Sequence, residues 1–168
     1  WFFRDRIDSD AVTADSYFID LAMTHKSGHL SLDFSQTEKQ ATGPINFVMH
    51  DSVPKFMLGL FLTQLDPNVG MNAGFQRAIS NVKTRPGSLL SPTSPAPLGL
   101  RSHSMFRVNS CLFGALAQAT GGKSSAASPV YVLYYLRGKS SIGGEELCIE
   151  GLSVGYGARS FADGLDAV

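Results

Sequence analysis

The side chains of this chain best suited to chemistry are few: four histidines, two cysteines, and Arg, Asn and Asp residues set beside glycines. No HxH, HExxH or Cys/His cluster links His25, His29, His50 and His103, so a self-contained zinc site is not expected. A solvated or hydrogen-bonded structural role suits each of them better. His103-Ser104 with Asp51 can be written as a hydrolytic triad, but no nucleophile elbow surrounds the serine. Gly121-Gly122-Lys123-Ser124 carries the tail of a phosphate-binding loop. The earlier glycine of that motif is missing and no strand feeds the loop, so a helix C-cap is the better reading. Gly155-Tyr156-Gly157-Ala158-Arg159, with Asp163 and Asp166, sets a pliant backbone beside a cation and two carboxylates. Such a set can bind an anion or a metal-bound substrate, but on the residues alone a tight surface turn with a solvated ion pair is the better reading. Cys111 and Cys148 sit among apolar neighbours and are expected as buried thiols in a reducing compartment.

The elements that must hold these residues follow from periodicity. Tyr17, Ile19, Leu21 and Met23 alternate on one side of a strand, and Leu30, Leu32 and Phe34 alternate after Ser27-Gly28. Glycine supplies the positive φ of a two-residue turn, which predicts a β-hairpin, with Arg4–Asp8 as a third short strand. Asp51 or Ser52 can cap the next element, and Pro54 suits a first helical turn. Val53, Phe56, Met57, Leu60, Phe61 and Gln64 then follow helical spacing in a largely buried helix ended by Asp66-Pro67. Arg77–Thr84 is expected as a strand. The three prolines of Ser91–Pro97 predict an ordered extended loop pinned by Leu89, Leu90, Leu98 and Leu100. A second helix runs from about Ser104 to Ala119, with Met105, Val108, Leu112 and Ala115 in its stripe and Gly121 as its C′ residue. Val130–Leu136 is a continuous apolar run, expected as a buried strand, and Leu147–Val154 is a further strand.

Hairpins with helices inserted between strands favour an α+β fold, mainly antiparallel, with two buried helices, over a doubly wound parallel sheet. A chain of 168 residues fits one ordinary domain. Three regions follow: a β-hairpin region over 1–42, a helix–strand–helix region over 43–122, and a strand and Gly-rich loop region over 123–168. With 43% hydrophobic and 17% charged residues the chain is apolar and charge-poor, so some apolar surface is expected to face a partner or further sequence. Net charge is zero and no basic block appears, which gives no support to nucleic-acid or anionic-lipid binding. Trp1-Phe2-Phe3-Arg4-Asp5 lacks the order of a signal peptide, and the longest apolar window, Val53–Leu65, is too short to span a membrane. A cytoplasmic segment of a larger subunit is the expectation.

Several short motifs stand in a set order. Asp33-Phe34-Ser35-Gln36-Thr37 resembles D-F-[ST]-G-T, and Gly43-Pro44-Ile45-Asn46 resembles G-P-[IL]-N. Met71-Asn72-Ala73-Gly74 is similar to L-N-A-G, and Gly87-Ser88-Leu89-Leu90 with Pro92 is similar to G-S-L-L-x-P. Arg107 followed by Leu112-Phe113-Gly114-Ala115-Leu116 resembles an S-Q-R helix start leading into L-L-G-A-L. Gly157-Ala158-Arg159 with Asp163-Gly164 resembles G-A-R-x-x-x-D-G. In this order the motifs resemble the middle of the hydantoinase B family, the large subunit of hydantoin- and oxoproline-opening enzymes and of acetone and acetophenone carboxylases. The resemblance runs from about Phe3 to Val168. Departures from it are Gln36 for a glycine, Leu133-Tyr134 for an Asn pair, His103-Ser104 for Glu-Thr, and Ser153-Val154 for two glycines.

The resemblance implies a segment of a subunit in an ATP-consuming hetero-oligomer that hydrolyses a cyclic amide or carboxylates a ketone. It implies a hydantoinase A-type partner, which carries the phosphorylating chemistry, together with the rest of the same subunit. ATP and a divalent metal are expected outside this segment, and no catalytic residue is carried over. By motif, Asn46, Asn72, Arg107, Arg159 and Asp163 are the implied substrate-orienting groups, and their amides and guanidinium groups would stabilise a developing oxyanion. A non-catalytic scaffold subunit with the same fold is the alternative.

Overall fold

In a computed structural model of the chain, residues 1–128 and 131–166 are described, the side chains of Gln64, Leu65 and Tyr131 excepted. Val130, where the second apolar strand was expected to start, and residues 167–168 lie outside that set. Three strands come first: β1 (Phe2–Ile7), β2 (Tyr17–Lys26) and β3 (His29–Asp33). They pair antiparallel, Ile7 opposite Tyr17 and Ala22 opposite Asp33. Ser27 and Gly28 both have positive φ, the geometry that matches a tight turn to strand twist. Tyr17, Ile19, Leu21 and Met23 are all buried, as their alternation requires.

Next come α1 (Ser52–Leu65), a short α2 (Ala73–Ala78) and β4 (Ile79–Lys83). β4 adds to the edge of β3 in parallel, completing a four-stranded sheet of order β1-β2-β3-β4. The expected strand over Arg77–Thr84 is thus shorter, because Asn72 accepts the N–H groups of Gly74 and Phe75 and starts α2. At α1 the expected cap is absent. Asp51 is itself helical, and its carboxylate accepts from Lys55 Nζ at 2.7 Å. The long helix α3 (Arg101–Thr120) lies across β1 and β2, and α1 packs beside it. Val108, Cys111, Leu112, Ala115 and Leu116 bury its stripe against the sheet. Gly121 ends α3 in the left-handed conformation.

β5 (Tyr131–Lys139) and β6 (Glu145–Ser153) form a separate antiparallel ribbon. The expected burial of this apolar run is not met: Tyr134, Tyr135 and Leu136 are exposed, because no second layer among the described residues covers the ribbon. Cys148 lies on it and is exposed, which corrects the expectation of two buried thiols, while Cys111 is buried. Both cysteines are free. The fold is α+β, mainly antiparallel, with the core between the four-stranded sheet and α1 and α3.

Candidate functional site

The five motif-derived side chains fall in different surroundings. Asn46 is fully buried. Its Oδ1 accepts from Ala41 N–H at 2.7 Å. Its Nδ2 donates to the carbonyls of Ala41, Gly43 and Pro97 at 2.9, 3.1 and 3.0 Å. Both polar atoms are therefore engaged within the fold, clasping the 41–46 loop to the proline-rich segment. Asn72 is exposed at the start of α2, where its Oδ1 is occupied as the helix cap. Asp163 is exposed and lines none of the described cavities. Arg107 and Arg159 each line a cavity, but not the same one. No described cavity holds two of the five.

The fold gathers a different set around Arg107. A cavity of about 400 Å³ opens between the end of β1, the first turns of α3 and the start of β5. Arg6 and Asp8 come from β1 and its exit, His103 and Arg107 from α3, and Leu133 from β5. Three positions singled out in the sequence therefore meet here: Arg107, the His103 that replaces a Glu, and the Leu133 that replaces an Asn. Arg107 is half-buried, with Nη1 3.2 Å from Asp5 Oδ2. Asp5 Oδ2 is buried and makes no hydrogen bond, so charge rather than a directed bond holds this pair. Asp5 Oδ1 accepts the backbone N–H of Arg6 at 2.8 Å. Arg6 pairs in turn with Asp8 at 3.1 Å on the exposed rim. The guanidinium of Arg107 keeps donors for a ligand oxygen, His103 offers ring nitrogens that donate or accept, and Val132 and Leu133 form an apolar wall.

A buried carboxylate that accepts five hydrogen bonds escaped the sequence reading. Asp10 is fully buried between β1 and β2. Its Oδ1 accepts from Thr13 N–H at 2.6 Å, Val12 N–H at 3.0 Å and Thr13 Oγ1 at 3.1 Å. Its Oδ2 accepts from Gly43 N–H at 2.7 Å and Tyr17 Oη at 3.1 Å. The Thr13 N–H, joined by those of Val12 and Gly43, holds the carboxyl well below the usual carboxylate range against the opposing cost of burial. A side chain at Gly43 would collide with the carbonyl and carboxylate of Asp10, which gives that glycine a packing reason. The signal was an Asp three residues before a Thr, an Asx-turn pattern.

The other sequence candidates resolve as follows. Ser104 is buried and donates to the Ile45 carbonyl, and Asp51 is held by Lys55, so no triad assembles with His103. Gly121-Gly122-Lys123-Ser124 follows the C-terminal end of α3, where carbonyls rather than N–H groups face outward, and does not fit a nucleoside triphosphate. Among the described residues no three His, Cys, Asp or Glu side chains gather as metal ligands. No helix among them is long and apolar enough to cross a membrane. No curated protein matches the chain significantly. A family model described as hydantoinase B/oxoprolinase matches residues 1–168, and the chain belongs to that family.

Proposed function

We propose that the chain is part of a hydantoinase B-type subunit in an ATP-dependent hetero-oligomer. Its reaction is hydrolysis of a cyclic amide such as a hydantoin, oxoproline or lactam, or carboxylation of a ketone in the manner of acetone and acetophenone carboxylases. A hydantoinase A-type partner and the rest of the subunit hold ATP and the divalent metal. ATP supplies the phosphoryl group that activates a carbonyl or enolate oxygen. This chain's part is to bind and orient the substrate in the cavity around Arg107. The guanidinium faces the substrate oxygen on which negative charge develops. The convergence of Arg107, His103 and Leu133 on one cavity, in a chain matched by the family along its whole length, supports this reading.

A scaffold subunit is the second reading, favoured by one observation. Leu133 lines the cavity at a position where the resemblance implies an amide group. Reconstitution with the hydantoinase A-type partner separates the two. Turnover of a cyclic amide, or of a ketone plus bicarbonate, is expected to vanish when this chain is omitted; unchanged turnover ends the enzyme reading. In the active complex Arg107→Ala is expected to lower kcat about a hundredfold, as loss of an oxyanion donor does. Asn46→Ala, which breaks a buried clasp, is expected to lose activity only in step with folded protein. Equal behaviour of both variants would reduce Arg107 to a structural role.

A further inference from the structure

Two motifs that the sequence set apart meet in the fold. The loop after α3 and the Gly-rich segment near the C-terminal end are strapped together: Ala126 N–H donates to Ala158 O at 2.8 Å, and Ser128 Oγ donates to Gly155 O at 2.8 Å. Gly157 lies so close to the Ala126 carbonyl that a Cβ there would overlap it. A tight turn, with Arg159 N–H donating to Ala162 O at 2.8 Å, then presents the Arg159 side chain. Between the two loops is a cavity of about 50 Å³ lined on its polar side by Lys123, Ser124, Ser125 and Arg159. Phe61, Phe113 and Phe161 form its apolar side.

The polar side of this cavity has donors and no acceptor of its own among side-chain charges. Among the described residues neither Lys123 nor Arg159 makes an ion pair or a side-chain hydrogen bond, and Asp163 and Asp166 leave Arg159 unpaired. Ser124 Oγ is buried without a hydrogen-bond partner, which native proteins seldom tolerate. Two cations and an orphan hydroxyl on one side of the cavity call for a compact acceptor with negative charge. The volume suits a few waters or one headgroup, not an extended ligand. The C-terminal end of α3 opposes an anion with roughly half an elementary charge. Gly121 and Gly122 N–H groups already cap the Ala117 carbonyl there, and two full positive charges outweigh the remainder.

We propose that this cavity is a small-oxyanion site in which Lys123, Arg159 and the Ser124 hydroxyl bind one phosphate or carboxylate headgroup. It shares no lining residue with the cavity around Arg107, so it stands or falls independently of the function proposed for that cavity. The test titrates the 168-residue chain with inorganic phosphate and, separately, with acetate, against sodium chloride at matched ionic strength, following backbone amide shifts. Saturable shifts confined to residues 121–126 and 157–162 are expected, and the anion that saturates first identifies the headgroup geometry. Arg159→Gln and Lys123→Gln are each expected to weaken binding about tenfold. Ser124→Ala is expected to weaken it several-fold without lowering Tm, since the variant removes an unpaired buried hydroxyl. Shifts no larger than those with chloride, or shifts that survive both charge-removing variants, overturn the proposal.

Discussion

Asp10 is shut off from bulk solvent, and its charge is carried by five donors from three segments of the chain. Its folded pKa lies below that of an unfolded aspartate, about 3.9. The sign of the linkage follows. Above the unfolded value the carboxylate is ionised in both states and its stabilising contribution is fully present. As pH falls below about 4, the unfolded chain takes up a proton that the folded chain resists, and the contribution is lost progressively. Asp10→Asn keeps the size but weakens every acceptor bond and places an amide against N–H donors. It is expected to lower Tm by several degrees at pH 7, and to flatten the fall in Tm between about pH 4 and pH 2. Thermal unfolding of both proteins across pH 2–7 measures this; parallel curves would mean that Asp10 is not the group being titrated. The site residues were hard to tell apart at this scale for a related reason. Asn46 and Asn72 stand in similar motifs, yet one clasps a carbonyl from the distant Pro97 and the other caps its own helix. Residue type and spacing carry no mark of a partner so far along the chain.

Elements were more legible where one face is buried. Alternation in β2 and the stripe of α3 state which side meets the core, and Ile19, Leu21, Val108 and Leu112 are fully buried accordingly. The parallel β3–β4 pairing was not legible, because an edge strand reached through two helices leaves no local pattern. Nor was the exposure of β5, since a continuous apolar run says that a strand needs cover without saying what provides it. α2 is too short for periodicity to detect, and its only local signature is the Asn72 cap. That cap gives the element-scale prediction. None of the residues of α2 is fully buried and Phe75 is its one side chain packed against the hydrophobic core, so the helix leans heavily on its cap. Asn72→Ala is expected to cost about 1 kcal/mol in urea unfolding, and Asn72→Asp, which keeps the acceptor, only a few tenths. If Asp fails to restore what Ala removes, the asparagine acts through something other than its cap.

At the scale of the whole molecule, stability is unevenly shared. The four-stranded sheet, α1 and α3 enclose one continuous core, while among the described residues β5 and β6 pair only with each other. The register Tyr135↔Ile149 sets one face of this ribbon and Leu136↔Cys148 the other, and all four residues are exposed. Apolar side chains on both faces match a strand pair built for cover on two sides, and the charge-poor composition agrees. A two-stranded ribbon without such cover is marginal in water, because its ladder bonds compete directly with solvent. In the free chain, amides of Val132–Gly138 and Leu147–Leu152 are therefore expected to exchange with deuterium at least about a hundredfold faster than those of Ile19–Met23, while the core unfolds as a unit. Leu136→Lys, with Leu136 61% exposed, is expected to reduce binding of an apolar dye and concentration-dependent association while leaving the core Tm unchanged. Protection of the ribbon equal to that of β2 would show that the free chain supplies its own cover, and the expected division into a firm core and a loosely held ribbon would then be wrong.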